Sequence, residues 1–99
     1  MTTGSHDKLA AVRRKFVAAS KQRAETIEDI LGLPETTEKY QRLRHLAHKI
    51  AGSAGFYGED GIAQVAARID TGLQSAENNR DRADLNADVH ELLSLLRAL

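Results

Sequence analysis

Apolar residues recur at steps of three and four in four separate blocks of this 99-residue chain. An α-helix turns once every 3.6 residues, so this spacing places the apolar side chains of each block on one helical face. No block shows the alternation of apolar and polar residues that is typical of a strand. The second block contains Tyr40, Leu43, Ala47, Ile50, Ala54 and Tyr57.

Capping and helix-breaking residues lie between the blocks and predict where each helix begins and ends. The first helix is predicted from about Asp7 to Leu31, because Gly32 and Pro34 stop it. The second is expected to begin at Thr36 or Thr37 and to run to about Phe56, with Gly58 as its C-terminal cap.

The third helix is expected to begin at Glu59 or Asp60 and to continue through Ala76. The polar run Glu77–Asp81 is predicted to be a loop, after which Leu85, Val89, Leu92, Leu93, Leu96 and Leu99 form the apolar face of a fourth helix that ends with the chain. Apolar residues of the first helix are Leu9, Val12, Phe16, Ala19, Ile27, Ile30 and Leu31.

Four amphipathic helices with short connections predict an all-α fold, an antiparallel up-down-up-down four-helix bundle. Residues 1–99 are expected to form a single domain, in which Met1 to Ser5 are frayed. A monomer is expected, because the four apolar faces can satisfy one another.

One histidine in the second helix has an unusual setting. His48 points about 130° away from the apolar stripe and is predicted to face solvent. Gly52 and Gly55 follow on the same face, one and two turns later. Two glycines inside a helix cost about 2 kcal/mol relative to alanine, so helix formation does not explain them. They leave bare backbone beside the imidazole, where a bulky partner could approach closely.

An exposed imidazole also has suitable chemistry for group transfer. A neutral histidine is nucleophilic at one ring nitrogen while a hydrogen bond holds the other nitrogen in place. The ring could therefore accept a phosphoryl group.

The run from Ala47 to Gly58 resembles the signature of histidine-containing phosphotransfer (HPt) domains. In that signature an apolar residue, a glycine and small residues follow the histidine, and a second glycine comes ten positions after it. The matching positions are His48, Ile50, Gly52, Ser53, Ala54 and Gly58. In the next helix, Ile62, Ile69 and Asp70 fit the family's apolar positions and its acidic or amide residue.

The resemblance implies a phosphoryl carrier rather than an enzyme. His48 would take a phosphoryl group from an aspartate of one receiver domain and pass it to another within a multistep two-component phosphorelay. Its partners would be response-regulator receivers and a (hybrid) histidine kinase. No cofactor is expected in this chain, because the receiver supplies the Mg²⁺ with its own carboxylates.

One position departs from the family pattern. The family commonly carries a lysine three residues after the histidine, and this chain has Ala51 there. Arg44 and Lys49 are the candidate replacements for that positive charge. Arg44 lies one turn before His48 on the same face, whereas Lys49 lies about 100° around the helix.

Two further residues are candidates for the site. Asp70 flanks the apolar stripe of the third helix, from where it could accept a hydrogen bond from the unreactive imidazole nitrogen. It could equally be an ordinary surface carboxylate. Phe56 is either an exposed contact for a partner, together with Gly52 and Gly55, or it folds under the end of the bundle.

Composition excludes several other functions. The chain carries 14 basic and 14 acidic side chains, so neither nucleic acid nor an anionic membrane is an expected partner. It has no cysteine, no phosphate-binding glycine loop and no apolar run of membrane-spanning length. A single small domain has no room for a nucleotide-binding module as well. Because no apolar run could span a membrane, we expect a cytoplasmic location.

Three alternatives stay open on the sequence. His45 and His48 could share a metal, but no further ligands accompany them, and no metal is expected. His6, His45 and His90 are interpreted as solvated polar residues. An interaction module that binds a receiver or kinase without being phosphorylated would tolerate Ala51. A sensor-kinase phosphoacceptor domain fits less well, because Lys49 follows His48 where that class usually has an acidic residue.

Overall fold

Four helices account for most of the chain that the structure describes. A computed structural model describes residues 3–74 and 82–99, and this part of the chain contains no strand. The helices are α1 (Thr3–Leu31), α2 (Thr37–Phe56), α3 (Asp60–Gln74) and α4 (Arg82–Arg97). The predicted all-α four-helix bundle is confirmed, while Ala76 and the predicted loop from Glu77 to Asp81 lie outside the described residues.

Contacts between the helices show the antiparallel order. The ring of Phe16, in the middle of α1, lies 4.6 Å from the ring of Tyr57, which directly follows α2. Asp70, late in α3, contacts Arg44 and His48 of α2, and Arg68 of α3 pairs with carboxylates of α4. Helix α4 also packs against α1, which closes the bundle.

The core lies where the apolar stripes meet. Leu43, Ala47, Ile50 and Ala54 of α2 are buried, and Tyr40 and Tyr57 are half-buried against them, as the spacing predicted. The largest buried apolar side chains of the other helices include Ile27, Ile69, Leu92, Leu96 and Val89. Burial of each such side chain contributes about 1.5–3 kcal/mol, so this shared core holds α2 and α3 in a fixed relative rotation.

Helix α1 differs from the prediction at its N-terminal end. It begins at Thr3, four residues before the predicted Asp7, because a helix that has formed adds residues without needing an apolar face. Leu9, Val12 and Ala19 are exposed rather than buried. Phe16 packs against Tyr57, at the end of α2. The turns of α1 before Phe16 therefore extend beyond the end of α2, which leaves Leu9 and Val12 uncovered.

The predicted frayed N-terminus is only partly within the described residues. Met1 and Thr2 lie outside them, while Thr3 to Ser5 have helical backbone, so their flexibility stays a prediction. At the other end of the chain, α4 ends at Arg97 and not at the last residue. Ala98 lies in a turn after the helix, and Leu99 packs half-buried against the core.

Both ends of α2 have specific caps. The Thr36 hydroxyl accepts a hydrogen bond from the Lys39 N–H at 3.4 Å, which makes Thr36 the N-cap. At the other end, Gly58 has a φ of 76°, and the Glu59 N–H donates to the Ala54 carbonyl at 2.8 Å. This is the Schellman arrangement, and it turns the chain sharply into α3.

A helix that crosses a bilayer needs about 20 mostly apolar residues. Across the residues described, none of the four is both long enough and apolar enough to span a membrane.

Candidate functional site

His48 lies on the outer face of α2 and contacts α3 through its ring. Its side chain is 76% exposed, as the helical phase predicted. The imidazole Nδ1 lies 2.9 Å from Oδ2 of Asp70, within hydrogen-bond distance. Because the Asp70 carboxylate can only accept, Nδ1 carries the proton in this contact, and in the neutral form of the ring the lone pair is therefore on Nε2. The structure thus brings Asp70 to the histidine, which was one of its two predicted interpretations.

Arg44 completes a chain of three side chains. Its guanidinium Nε donates to Oδ1 of Asp70 at 3.2 Å, while His48 uses the other carboxylate oxygen. Arg44 and His48 are one helical turn apart on α2, so a single carboxylate of α3 can bind both. The sequence placed Arg44 near His48, but its direct partner is Asp70.

The Asp70 carboxyl is held in its charged form. Burial by itself raises its pKa, since the side chain is only 13% exposed. Hydrogen bonds from His48 and Arg44, together with the positive charges of the protonated imidazole and of Arg44, outweigh burial and bring the pKa of Asp70 below its ordinary value. Asp70 is therefore an anion at neutral pH and a permanent hydrogen-bond acceptor for Nδ1.

A groove of about 370 Å³ lies along these side chains between α2 and α3. It is lined by Gln41, Arg44, His45, His48, Asp70 and Gln74. The sequence did not identify the two glutamines as site residues, and it offered His45 only as a possible metal ligand with His48 or as a solvated residue. The spacing of Gln41, His45 and His48 places them on one face of α2, and this was the signal available in the sequence. It does not show which residues of α3 lie opposite them and close the groove.

The surface on the C-terminal side of His48 is open. A Cβ atom built on Gly52 or Gly55 would meet nothing within 4 Å, so neither glycine is required by contacts inside the molecule. Phe56 is 82% exposed, and its ring packs edge-to-face on Tyr57 at 5.1 Å. Of the two interpretations of Phe56, the structure shows the exposed one.

Ala51 stands where the family commonly has a lysine, and the two candidate replacements for that positive charge have different surroundings. Ala51 is half-buried and packs against the core. Lys49 is exposed, and it makes no hydrogen bond or ion pair with the residues that the structure describes. Arg44 is therefore the candidate cation that the structure connects to His48, through Asp70.

Within residues 3–74 and 82–99, no group of three or more histidine, aspartate or glutamate side chains is arranged to hold a metal ion. His45, His48 and Asp70 line the same groove, but among the described residues they are not arranged as such a group.

Taken together, the site presents a nucleophilic nitrogen to solvent on a rigid helix, fixes the opposite nitrogen to a carboxylate, and leaves one side clear for a partner. A protein-family model described as the Hpt domain matches residues 11–99, which include all of these side chains. No curated protein and no solved structure was found to match the chain.

Proposed function

Because the chain belongs to the Hpt domain family, whose members carry phosphoryl groups on histidine in two-component signalling, we propose that His48 is its phosphoacceptor. Hpt domains interact with receiver domains and histidine kinases. In this proposal His48 takes the phosphoryl group from a receiver aspartate and passes it to the aspartate of a second receiver. The observation that carries the proposal is the exposed imidazole, held through Nδ1 by Asp70.

The contact with Asp70 selects the reacting nitrogen. The Nε2 lone pair attacks the phosphorus of the receiver's aspartyl phosphate, and the P–O bond to the aspartate breaks. The electron pair of that bond returns to the receiver carboxylate, while Nδ1 keeps its proton. The phosphorylated ring is then positively charged, and the Asp70 carboxylate stabilises it at 2.9 Å.

Phosphoryl transfer depends mainly on in-line positioning and on neutralisation of charge. In the proposed complex the receiver holds Mg²⁺ with its own carboxylates and supplies most of that neutralisation. This chain contributes the nucleophile, its orienting carboxylate and a docking face formed by Gly52, Gly55 and Phe56. It acts as a carrier that the reaction regenerates in each cycle.

The test is phosphoryl transfer from a radiolabelled receiver domain of the source organism in the presence of Mg²⁺. Wild-type protein should acquire acid-labile label, and His48→Gln should acquire none. His90→Gln changes an exposed histidine of α4 and should be labelled at the wild-type level. Circular dichroism of the three proteins checks that their helical content is equal.

Two results would overturn the assignment. Label on His48→Gln would show that another residue accepts the phosphoryl group. A wild-type protein that forms a complex with the receiver but stays unlabelled would instead be a binding module, the function that Ala51 in place of the family's lysine would favour.

A further inference from the structure

A carboxylate beside a phosphorylated histidine has two opposing effects. Asp70 attracts the positively charged ring through Nδ1. It also repels the phosphoryl group, which carries up to two negative charges and is attached to the other nitrogen of the same five-membered ring. Asp70 is charged, because its pKa lies below the ordinary value. A neutral amide at this position would hold Nδ1 without the repulsion.

The structure shows a cation positioned to offset that repulsion. The Arg44 guanidinium donates to Oδ1 of Asp70, the oxygen that His48 does not use. Among the side chains that line the groove, Arg44 alone has a permanent positive charge. Its side chain is 49% exposed, so the guanidinium remains at the surface that a receiver would cover.

We propose that Arg44 is a charge-compensating positioning residue, which makes the Asp70 carboxylate compatible with a phosphoryl group on His48. The inference rests on the proposed phosphorylation of His48. Arg44 acts through Asp70: it disperses the carboxylate charge and keeps the carboxylate turned towards Nδ1. The arginine and the aspartate therefore work as a pair, and each should matter less without the other.

The direct test measures the equilibrium between phosphorylated receiver and phosphorylated His48. Arg44→Gln should shift this equilibrium about tenfold towards the receiver, while Arg44→Lys, which keeps the charge, should recover at least half of the loss on a logarithmic scale. Arg42→Gln is the matched control. Arg42 is an exposed arginine of the same helix, paired with Glu38, and its replacement should leave the equilibrium unchanged.

A double-mutant cycle separates compensation from direct contact. In an Asp70→Asn background, Arg44→Gln should change the equilibrium less than twofold, because no carboxylate charge remains to offset. A tenfold loss in that background would overturn the proposal, since Arg44 would then act on the phosphoryl group or the receiver directly. Wild-type behaviour of Arg44→Gln would overturn it as well.

These measurements distinguish a failure of the proposed phosphorylation of His48 from a failure of charge compensation by Arg44. If wild-type His48 is not labelled at all, the proposed phosphotransfer fails and the cycle has no equilibrium to measure. If wild type is labelled and only the predicted coupling between Arg44 and Asp70 is missing, charge compensation alone is wrong. Thermal unfolding of each variant, compared with wild type, shows whether a change in transfer reflects loss of the fold.

Discussion

At the scale of single residues, Asp70 joins the two helices that form the site. Its helical phase was enough to predict that it could face α2, and the exposure of His48 also followed from the pattern. The sequence did not predict which oxygen binds which partner, or that Arg44 contacts Asp70 directly. Those contacts depend on how far α3 is rotated against α2, and the packing of Ile50 and Ile69 in the shared core determines that rotation.

Asp70 also gives a prediction about pH. Its folded-state pKa is lowered, so its contacts stabilise the fold above the ordinary carboxyl pKa of 3.8 and lose this effect as the pH falls through the folded-state value. Asp70→Asn should therefore lower the free energy of unfolding by about 1 kcal/mol at pH 6. The difference from wild type should shrink below about pH 4.

Urea denaturation of both proteins at a series of pH values measures this difference. Asp29→Asn removes an exposed carboxylate of α1 and controls for the change in net charge. A gap between wild type and Asp70→Asn that stays constant down to pH 2.5, or widens there, would show that the carboxylate is not stabilised by its partners.

At the scale of helices, local chemical signals determined which ends could be predicted. Thr36 and Gly58 each satisfy backbone groups of α2 through their own side chain or conformation, so both ends of this helix were visible in the sequence. The start of α1 was predicted from the apolar pattern alone, which Leu9 and Val12 continue although both are exposed. A single sequence shows that a face is apolar, but it does not show how far the neighbouring helices extend.

The cap at Gly58 predicts that replacement by alanine should destabilise the protein more at Gly58 than at Gly32, the glycine that follows α1. Gly58→Ala should lower the free energy of unfolding by about 1 kcal/mol, because alanine is strained at a φ of 76°. Gly32 follows α1 with an ordinary backbone conformation, and a Cβ there would meet its nearest neighbour at 3.5 Å. Gly32→Ala should thus change stability by less than about 0.5 kcal/mol. Equal losses in thermal unfolding would contradict the role of the positive φ.

At the scale of the whole molecule, the fold provides a stable support and the outer face of α2 provides the contact surface. The buried stripe of α2 holds the helix in place, while His48, Gly52, Gly55 and Phe56 lie on exposed positions. The bundle and this division were predictable, because one periodic pattern determines both the buried and the exposed face. The groove was not, because it exists only where two helices meet.

A larger side chain at Gly52 should slow phosphoryl transfer without lowering the stability of the fold. Gly52→Gln should keep or raise the free energy of unfolding, by up to about 1 kcal/mol, since glutamine favours the helix and a Cβ meets nothing there. Transfer from the receiver should slow several-fold, because the side chain stands in the partner's path. Gly61→Gln makes the same change at an exposed glycine of α3 and should leave the transfer rate unchanged. Wild-type transfer by Gly52→Gln would rule out the predicted docking face.

The unequal lengths of the helices have a consequence for cooperativity. Helix α1 has 29 residues and α3 has 15, so they span about 43 Å and about 22 Å. The turns of α1 before Phe16 carry Leu9, which is 68% exposed, and gain little from the core. We expect the amide hydrogens of residues 8–15 to exchange through local fraying, and those of α1 after Phe16 to exchange only when the bundle opens. The limit of the cooperative folding unit therefore falls inside a continuous helix, near Phe16, and not at a loop.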